Sequence, residues 1–198
     1  KQFSEIALHA LKNERNRVKA EAIQTLVAST GLKHLKIIIE SMRGLKSEIV
    51  LGGYEQALLS CKGNSQQEQL ISKALISIIR KSRSTARASI YYVLAMLGGK
   101  SNLAILNKVS STKSESDFKN VVSAVSFSRD PLATEWIIDI IKSNSATKRA
   151  HSATDIGLRR MVISEKGVGS KSEEAAFNFA KEVLKVVRSP AIFRMLGS

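Results

Sequence analysis

The stretch EKGVGSKSEE (165–174) has the residue types of a phosphate-binding loop, with glycines followed by lysine and serine. Such a loop requires Gly, four residues and then Gly-Lys-Ser or Gly-Lys-Thr, because its backbone amides must wrap the phosphates. Here Ser170 separates Gly169 from Lys171, and Ser164 stands where the first glycine is required. The residues before the stretch continue a helical pattern, whereas a phosphate loop follows a strand. We therefore predict a loop between helices, with Ser170 or alternatively Ser172 capping the next helix, and no nucleotide site.

Two basic segments, RKSRSTAR (80–87) and KSNSATKRAH (142–151), could instead attract carboxylates or phosphates. Each falls at a junction between two predicted helices, so stacked hairpins bring such junctions to one edge of the molecule. Cations gathered on one edge add their fields and can hold a polyanion. A solvated edge without a partner is the alternative. The candidate anion-binding or partner-binding residues are Arg80, Lys81, Arg83, Arg87, Lys148 and Arg149.

Residue types that carry catalysis are scattered along the chain. His9, His34 and His151 show no metal-ligand spacing with one another or with the single cysteine, Cys61. No Gly-x-Ser-x-Gly nucleophile motif occurs. The adjacent acids at 173–174 suit the positive end of a helix dipole. We therefore predict a protein that is not an enzyme, with no catalytic residue, no cofactor and no metal site.

The composition is that of a basic globular protein of 198 residues, with 43% hydrophobic residues and a net charge of +14. The charge is spread along the chain, with +4, +6 and +4 in successive thirds, which favours an anionic partner. No apolar run reaches the length of a membrane span. One cysteine excludes an internal disulfide and favours a cytoplasmic location without fixing it. Composition does not determine the oligomeric state.

The elements that must position these residues are helices. Apolar residues recur at helical spacing, as in Leu70, Leu75 and Ile79, and strand-like alternation is nowhere sustained. We predict an all-α fold whose buried residues include Ile78, Ile79, Leu94, Leu97, Ile105, Leu106, Ile137 and Ile141. The predicted helices span 2–12, 16–29, 32–43, 47–61, 66–81, 85–97, 102–110, 116–127, 131–143, 147–163 and 172–188.

Turns repeat along the chain at Gly31, Gly63, Gly99 and Asp130, with spacings of 32, 36 and 31 residues. This period is typical of a helical hairpin that stacks on copies of itself, because one hairpin alone has too little core.

Two segments carry a resemblance to a known family. RDPLATEWIIDII resembles the Asp-Pro turn that opens the first helix of a HEAT repeat, with Asp130 as cap and Pro131 at the first helical position. ARASIYYVLAMLGG resembles the second helix of such a unit, with Arg87 at its basic position. The hairpin near 47–63 departs from the pattern, because Leu51 replaces the basic residue and Gly52-Gly53 interrupts its helix.

The resemblance implies a right-handed α-solenoid of stacked antiparallel helical hairpins. It covers residues 1–163 as a HEAT-like array, which leaves 164–171 as a flexible loop and 172–198 as a capping helix or a continuation of the array. The family implies a non-enzymatic scaffold or binding module with a protein partner, which the charge suggests is acidic.

A basic nucleic-acid-binding protein is the alternative, including one similar to the HEAT-like alkylpurine DNA glycosylases. Their Trp-x-x-x-Asp element is loosely echoed by Trp136 and Asp139, which are three residues apart instead of four. A third possibility is a helical-repeat segment of a larger protein.

Overall fold

A computed structural model describes residues 2–11, 15–128 and 130–143, together with residues 149, 152, 153, 156 and 181. Throughout these residues the regular structure is helical and contains no strand, so the predicted all-α class is confirmed. None of the described helices is long and apolar enough to cross a membrane. The helices are α1 (Gln2–Ala10), α2 (Asn16–Thr30), α3 (Leu35–Met42), α4 (Glu48–Leu59), α5 (Ser65–Ile78), α6 (Ser84–Leu97), α7 (Gly99–Ser110), α8 (Glu115–Val125) and α9 (Pro131–Ser143), with 3-10 helices at Gly31–His34 and Ile79–Lys81.

Each of the first nine predicted helices corresponds to a helix of the structure. Two of them include a 3-10 turn, at the start of α3 and at the end of α5. Contrary to the expected interruption, α4 runs through Gly52 and Gly53 without a break. The predicted helices 147–163 and 172–188, the loop 164–171 and the domain boundaries at 163 and 171 lie outside the continuously described ranges.

Polar side chains determine where several helices begin. Ser47, Asn64 and Ser114 precede α4, α5 and α8, and each side-chain oxygen accepts a hydrogen bond from an amide of the first turn. Such caps satisfy amides that have no partner within the helix. Serine and asparagine residues therefore define where these three helices begin.

The chain divides into two compact units, Lys1–Leu97 and Gly98–Ser198. In the first unit, α2, α4 and α6 pack side by side in one layer, while α3 and α5 pack beside each other in another. Successive helices thus alternate between two layers. The core of this unit is mostly aliphatic, with Tyr54 and Tyr91 also buried. Each fully buried side chain stabilises the fold by about 1.5–3 kcal/mol. The aliphatic members include Ile23, Leu26, Ile38, Leu58, Ile71, Leu75, Ile90 and Leu94.

One close approach holds α2 against α4. A Cβ atom at Gly53 would lie 2.7 Å from both the Cα and the Cβ of Ala20, so only glycine fits there. At the neighbouring Gly52 a Cβ would have no atom within 4 Å. The two glycines therefore have different roles, and only Gly53 sets the distance between the helices.

In the second unit α7 packs against both α8 and α9, over a core that includes Phe118, Val121 and Val122. Burial is confirmed for six of the eight predicted core residues of the chain: Ile78, Ile79, Leu94, Leu106, Ile137 and Ile141. Leu97 and Ile105 are only half-buried. Leu97 is the last residue of α6, where no further helical turn covers it.

The predicted turns at Gly31, Gly63, Gly99 and Asp130 are confirmed, since each lies between consecutive helices or at the first residue of one. The three glycines all have positive φ, a conformation that costs glycine little. Asp130 caps α9 as predicted, because its Oδ1 accepts from the Leu132 amide at 3.0 Å. Its Oδ2 also accepts from the Gly99 amide at 2.7 Å, which joins the starts of α7 and α9.

Candidate functional site

The α5–α6 turn presents three of the predicted basic residues to solvent. Ile79 and Ser82 are buried, and the Ser82 hydroxyl donates to the carbonyl of Ile78 at 2.8 Å. These inward contacts leave the rest of the turn facing outward. Arg80, Lys81 and Arg83 are all exposed.

The neighbouring α3–α4 turn is joined to this turn by two hydrogen bonds. The Arg83 amide donates to the Arg43 carbonyl at 3.0 Å, and the Thr85 hydroxyl donates to the Leu45 carbonyl at 2.8 Å. The α3–α4 turn carries two further basic residues, Arg43 and Lys46. We define the basic cluster as Arg43, Lys46, Arg80, Lys81 and Arg83.

Sequence reasoning missed Arg43 and Lys46. They stand in RGLK (43–46), at a junction between two predicted helices, as RKSR (80–83) does in the next hairpin. The signal was therefore the repeat position and not the local density of charge.

One carboxylate lies among these cations. Arg43 Nη1 donates to Glu40 Oε2 at 2.6 Å, and this hydrogen bond is the main cause that lowers the pKa of Glu40. Burial opposes this hydrogen bond as the next-largest effect, and the charges of Arg43, Lys81 and Lys36 each lower the pKa by a smaller amount. In the described part of the chain, no carboxylate lies within 4.0 Å of the other four members of the basic cluster.

Two other candidate residues have structural partners. Arg87 is half-buried, and its Nη1 donates to the Ser82 carbonyl at 3.0 Å, within the turn that starts its own helix. Arg149 belongs to the second unit, where it pairs with Glu115 at 3.1 Å and donates to the Thr112 carbonyl at 3.0 Å. Its guanidinium also lies 5.0 Å from the centre of the Phe118 ring.

These bonds direct Arg87 and Arg149 toward their own units, whereas the exposed arginines of the α5–α6 turn point to water. Lys148, the remaining candidate, lies outside the described residues.

A cleft of about 610 Å³ opens in the second unit, between the C-terminal halves of α7 and α9. Trp136 and Asp139 both line it, together with Asn107, Lys142 and Arg149. Trp136 is half-buried and not a full member of the core, and its buried indole N–H finds no acceptor among the described residues. The cleft thus combines an aromatic wall with groups of both charges.

The described residues contain no group of three or more His, Cys, Asp or Glu side chains placed to hold a metal ion. Cys61 is a free, half-buried thiol. His151 and the stretch 165–174 lie outside the described residues, so the prediction of a loop there without a nucleotide site stays a prediction.

No protein-family model matches the chain, and no curated protein or solved structure is detectably similar to it.

Proposed function

We propose that the chain is a non-enzymatic binding module, built as an α-solenoid of stacked helical hairpins like those of HEAT repeats. The side-by-side packing of α2, α4 and α6, and of α3 with α5, supports this proposal, because a solenoid places equivalent helices of successive hairpins next to each other. The repeated junctions at Gly31, Gly63 and Gly99 support it further.

The partner that we propose is a protein with an acidic segment, which docks on the basic cluster. The observation that carries this proposal is the pair of joined turns, which hold Lys46, Arg80, Lys81 and Arg83 in solvent with no described carboxylate within 4.0 Å of them. Arginine recognises carboxylates with two parallel hydrogen bonds, so a run of acidic side chains fits such a surface. Because the turns are already linked, little backbone freedom would be lost on binding.

The test is fluorescence anisotropy of a labelled, glutamate-rich peptide with the full chain at about 50 mM and about 150 mM salt. Replacing Lys46, Arg80, Lys81 and Arg83 with alanine should weaken binding by about tenfold or more at the lower salt, since each lost ion pair contributes a small amount. The matched control replaces four exposed lysines elsewhere: Lys33, Lys73, Lys100 and Lys108.

Both variants lose the same net charge. If the control loses as much affinity as the basic-cluster variant, the peptide responds to overall charge and the proposed site is wrong. If the parent chain does not bind the peptide even at the lower salt, the proposed acidic partner is wrong.

Nucleic acid is the second candidate partner, favoured by a net charge of +14 that is spread over the whole chain. With about four phosphate contacts, log K for duplex DNA should fall against log salt with a slope of roughly −3 to −4. A parent chain that binds DNA with this slope, and binds the acidic peptide weakly, would favour nucleic acid over protein.

The narrower form of that candidate is an alkylpurine DNA glycosylase-like enzyme, for which the shared cleft of Trp136 and Asp139 is the supporting observation. Release of free base from a duplex carrying an N-alkylated purine, abolished in Asp139→Asn, would support it. Absence of release by the parent chain would exclude it.

A further inference from the structure

Among the described residues, Glu40 is the carboxylate that lies closest to the basic cluster. It stands on α3 one turn before Arg43, and its side chain is 50% exposed. Only Oε2 receives a hydrogen bond, at 2.6 Å from Arg43 Nη1, and no described residue donates to Oε1. Half of this carboxylate is therefore left to water, beside an arginine that already holds one of its oxygens.

The cations around Glu40 come from two parts of the chain, the α3 segment and the α5–α6 turn. Lys36 precedes it by one helical turn on α3, and Lys81 lies in the α5–α6 turn. Both act on Glu40 through their charge, yet neither ammonium lies within 4.0 Å of its carboxylate. One anion thus stands in a field of three cations, two of which form no ion pair with it.

An ordinary ion pair between residues three apart on a helix would involve only Glu40 and Arg43. Lys81 belongs instead to the α5–α6 turn, which two hydrogen bonds join to the α3–α4 turn, and its charge also acts on Glu40. The arrangement resembles an anion-binding position that is already occupied by a group of the same chain.

We propose that Glu40 is an internal competitor, whose carboxylate occupies the place that a carboxylate of the partner takes against Arg43 and Lys81. This inference rests on the proposed function. An exposed pair of this kind is weak and its side chains are mobile, so an incoming acidic segment can displace Glu40. Glu40 then lowers the affinity for every anionic partner and favours those with several closely spaced carboxylates.

The test compares the parent chain with Glu40→Gln, which keeps the size of the side chain and removes its charge. We expect the labelled acidic peptide to bind about threefold to tenfold more tightly to Glu40→Gln at about 50 mM salt, with a smaller gain at higher salt. The matched control is Glu21→Gln, an exposed acid on α2 with the same change of net charge, for which we expect less than about a twofold change.

A double-mutant cycle with Lys81→Ala tests whether the two turns act together. In the Lys81→Ala background, the gain from Glu40→Gln should fall to less than about half, because one of the cations that it frees is missing. If Glu40→Gln raises the peptide affinity equally in both backgrounds, Glu40 acts only through its helix pair with Arg43 and the proposal is overturned.

The remaining outcomes separate this inference from the proposed function. Peptide binding that is equal or weaker in Glu40→Gln, or equal gains in Glu40→Gln and Glu21→Gln, would overturn the competitor role and leave the binding module standing. Absence of binding in both the parent chain and Glu40→Gln would overturn both. Thermal melts that agree within about 2 °C would show that the variants fold alike.

Discussion

The carboxylate of Asp130 serves two helix starts with its two oxygens. Oδ1 caps α9 through Leu132, and Oδ2 accepts from the Gly99 amide at the start of α7. The same contact leaves no room at Gly98, where a Cβ would lie 2.9 Å from Oδ2. One short side chain therefore fixes two turns of the second unit.

We expect Asp130→Ala to lower the free energy of unfolding by about 1–2 kcal/mol, because it removes a cap and leaves a second amide without its acceptor. Asp130→Asn is the control, since it keeps one acceptor oxygen and should lose less. Denaturant unfolding checks both variants, and an unchanged midpoint in Asp130→Ala would contradict the double role.

Glu55 is a half-buried acid on α4. Burial raises its pKa, and a hydrogen bond from Ser89 on α6 offsets only part of that effect. The folded state thus holds the proton more tightly than the unfolded state does. Protonated Glu55 contributes stability below its unfolded pKa, near 4.3, and this contribution is lost as pH rises through its folded pKa.

It follows that Glu55→Gln should raise the melting temperature at pH 7, since the glutamine carries no charge to desolvate. The difference from the parent chain should shrink as the pH falls below about 4, where Glu55 is protonated in both states. Thermal melts followed by circular dichroism across this range measure it. A variant that is less stable than the parent at pH 7 would show that the ionised carboxylate is well solvated.

At the scale of elements, the contact between α2 and α4 means that substituting two adjacent glycines by alanine should have opposite effects on stability. Gly53→Ala should cost about 1–3 kcal/mol, because the new methyl group meets the backbone of Ala20 at 2.7 Å and the helices must separate. Gly52→Ala should gain about 0.5–1 kcal/mol, since alanine is the better helix former and meets nothing within 4 Å. Denaturant midpoints compare the pair directly, and equal effects would refute the close approach.

The apolar face of α9 allows a second comparison between elements. Ile137 and Ile141 are each 1% exposed, whereas Leu132 on the same helix is 42% exposed. We expect Ile137→Ala or Ile141→Ala to cost about 2–5 kcal/mol and Leu132→Ala to cost much less. Similar losses at all three positions would mean that the face of α9 is wrongly assigned.

Helices and turns could be predicted because their causes are local. The apolar spacing of α9 and the Asp130 cap both depend on residues within a few positions of the helix that they form or start. Gly53 was harder to interpret, because its reason is Ala20 on another helix. From sequence alone a glycine pair predicts a break in the helix, and the reason for Gly53 is visible only once α2 is packed against α4.

The basic cluster shows the same limit for the candidate site. Density of charge pointed to the segment around Arg80 and Arg83, which the structure places in solvent. It could not separate these residues from Arg87, whose guanidinium turns back to a carbonyl of its own turn. Nor could it find Arg43, which is 40 residues from Arg83 in sequence and becomes its neighbour only when the hairpins pack.

At the scale of the whole molecule, the division at Leu97 and Gly98 also separates the chromophores. The only tryptophan, Trp136, falls in the second unit, while all three tyrosines, Tyr54, Tyr91 and Tyr92, fall in the first. Emission excited at the red edge of the indole band therefore follows the second unit alone, and tyrosine absorbance follows the first. Tryptophan fluorescence and tyrosine absorbance of the unlabelled chain therefore report on different units. Coincident transitions would show that the two units unfold cooperatively, and separate transitions would show that they unfold in sequence.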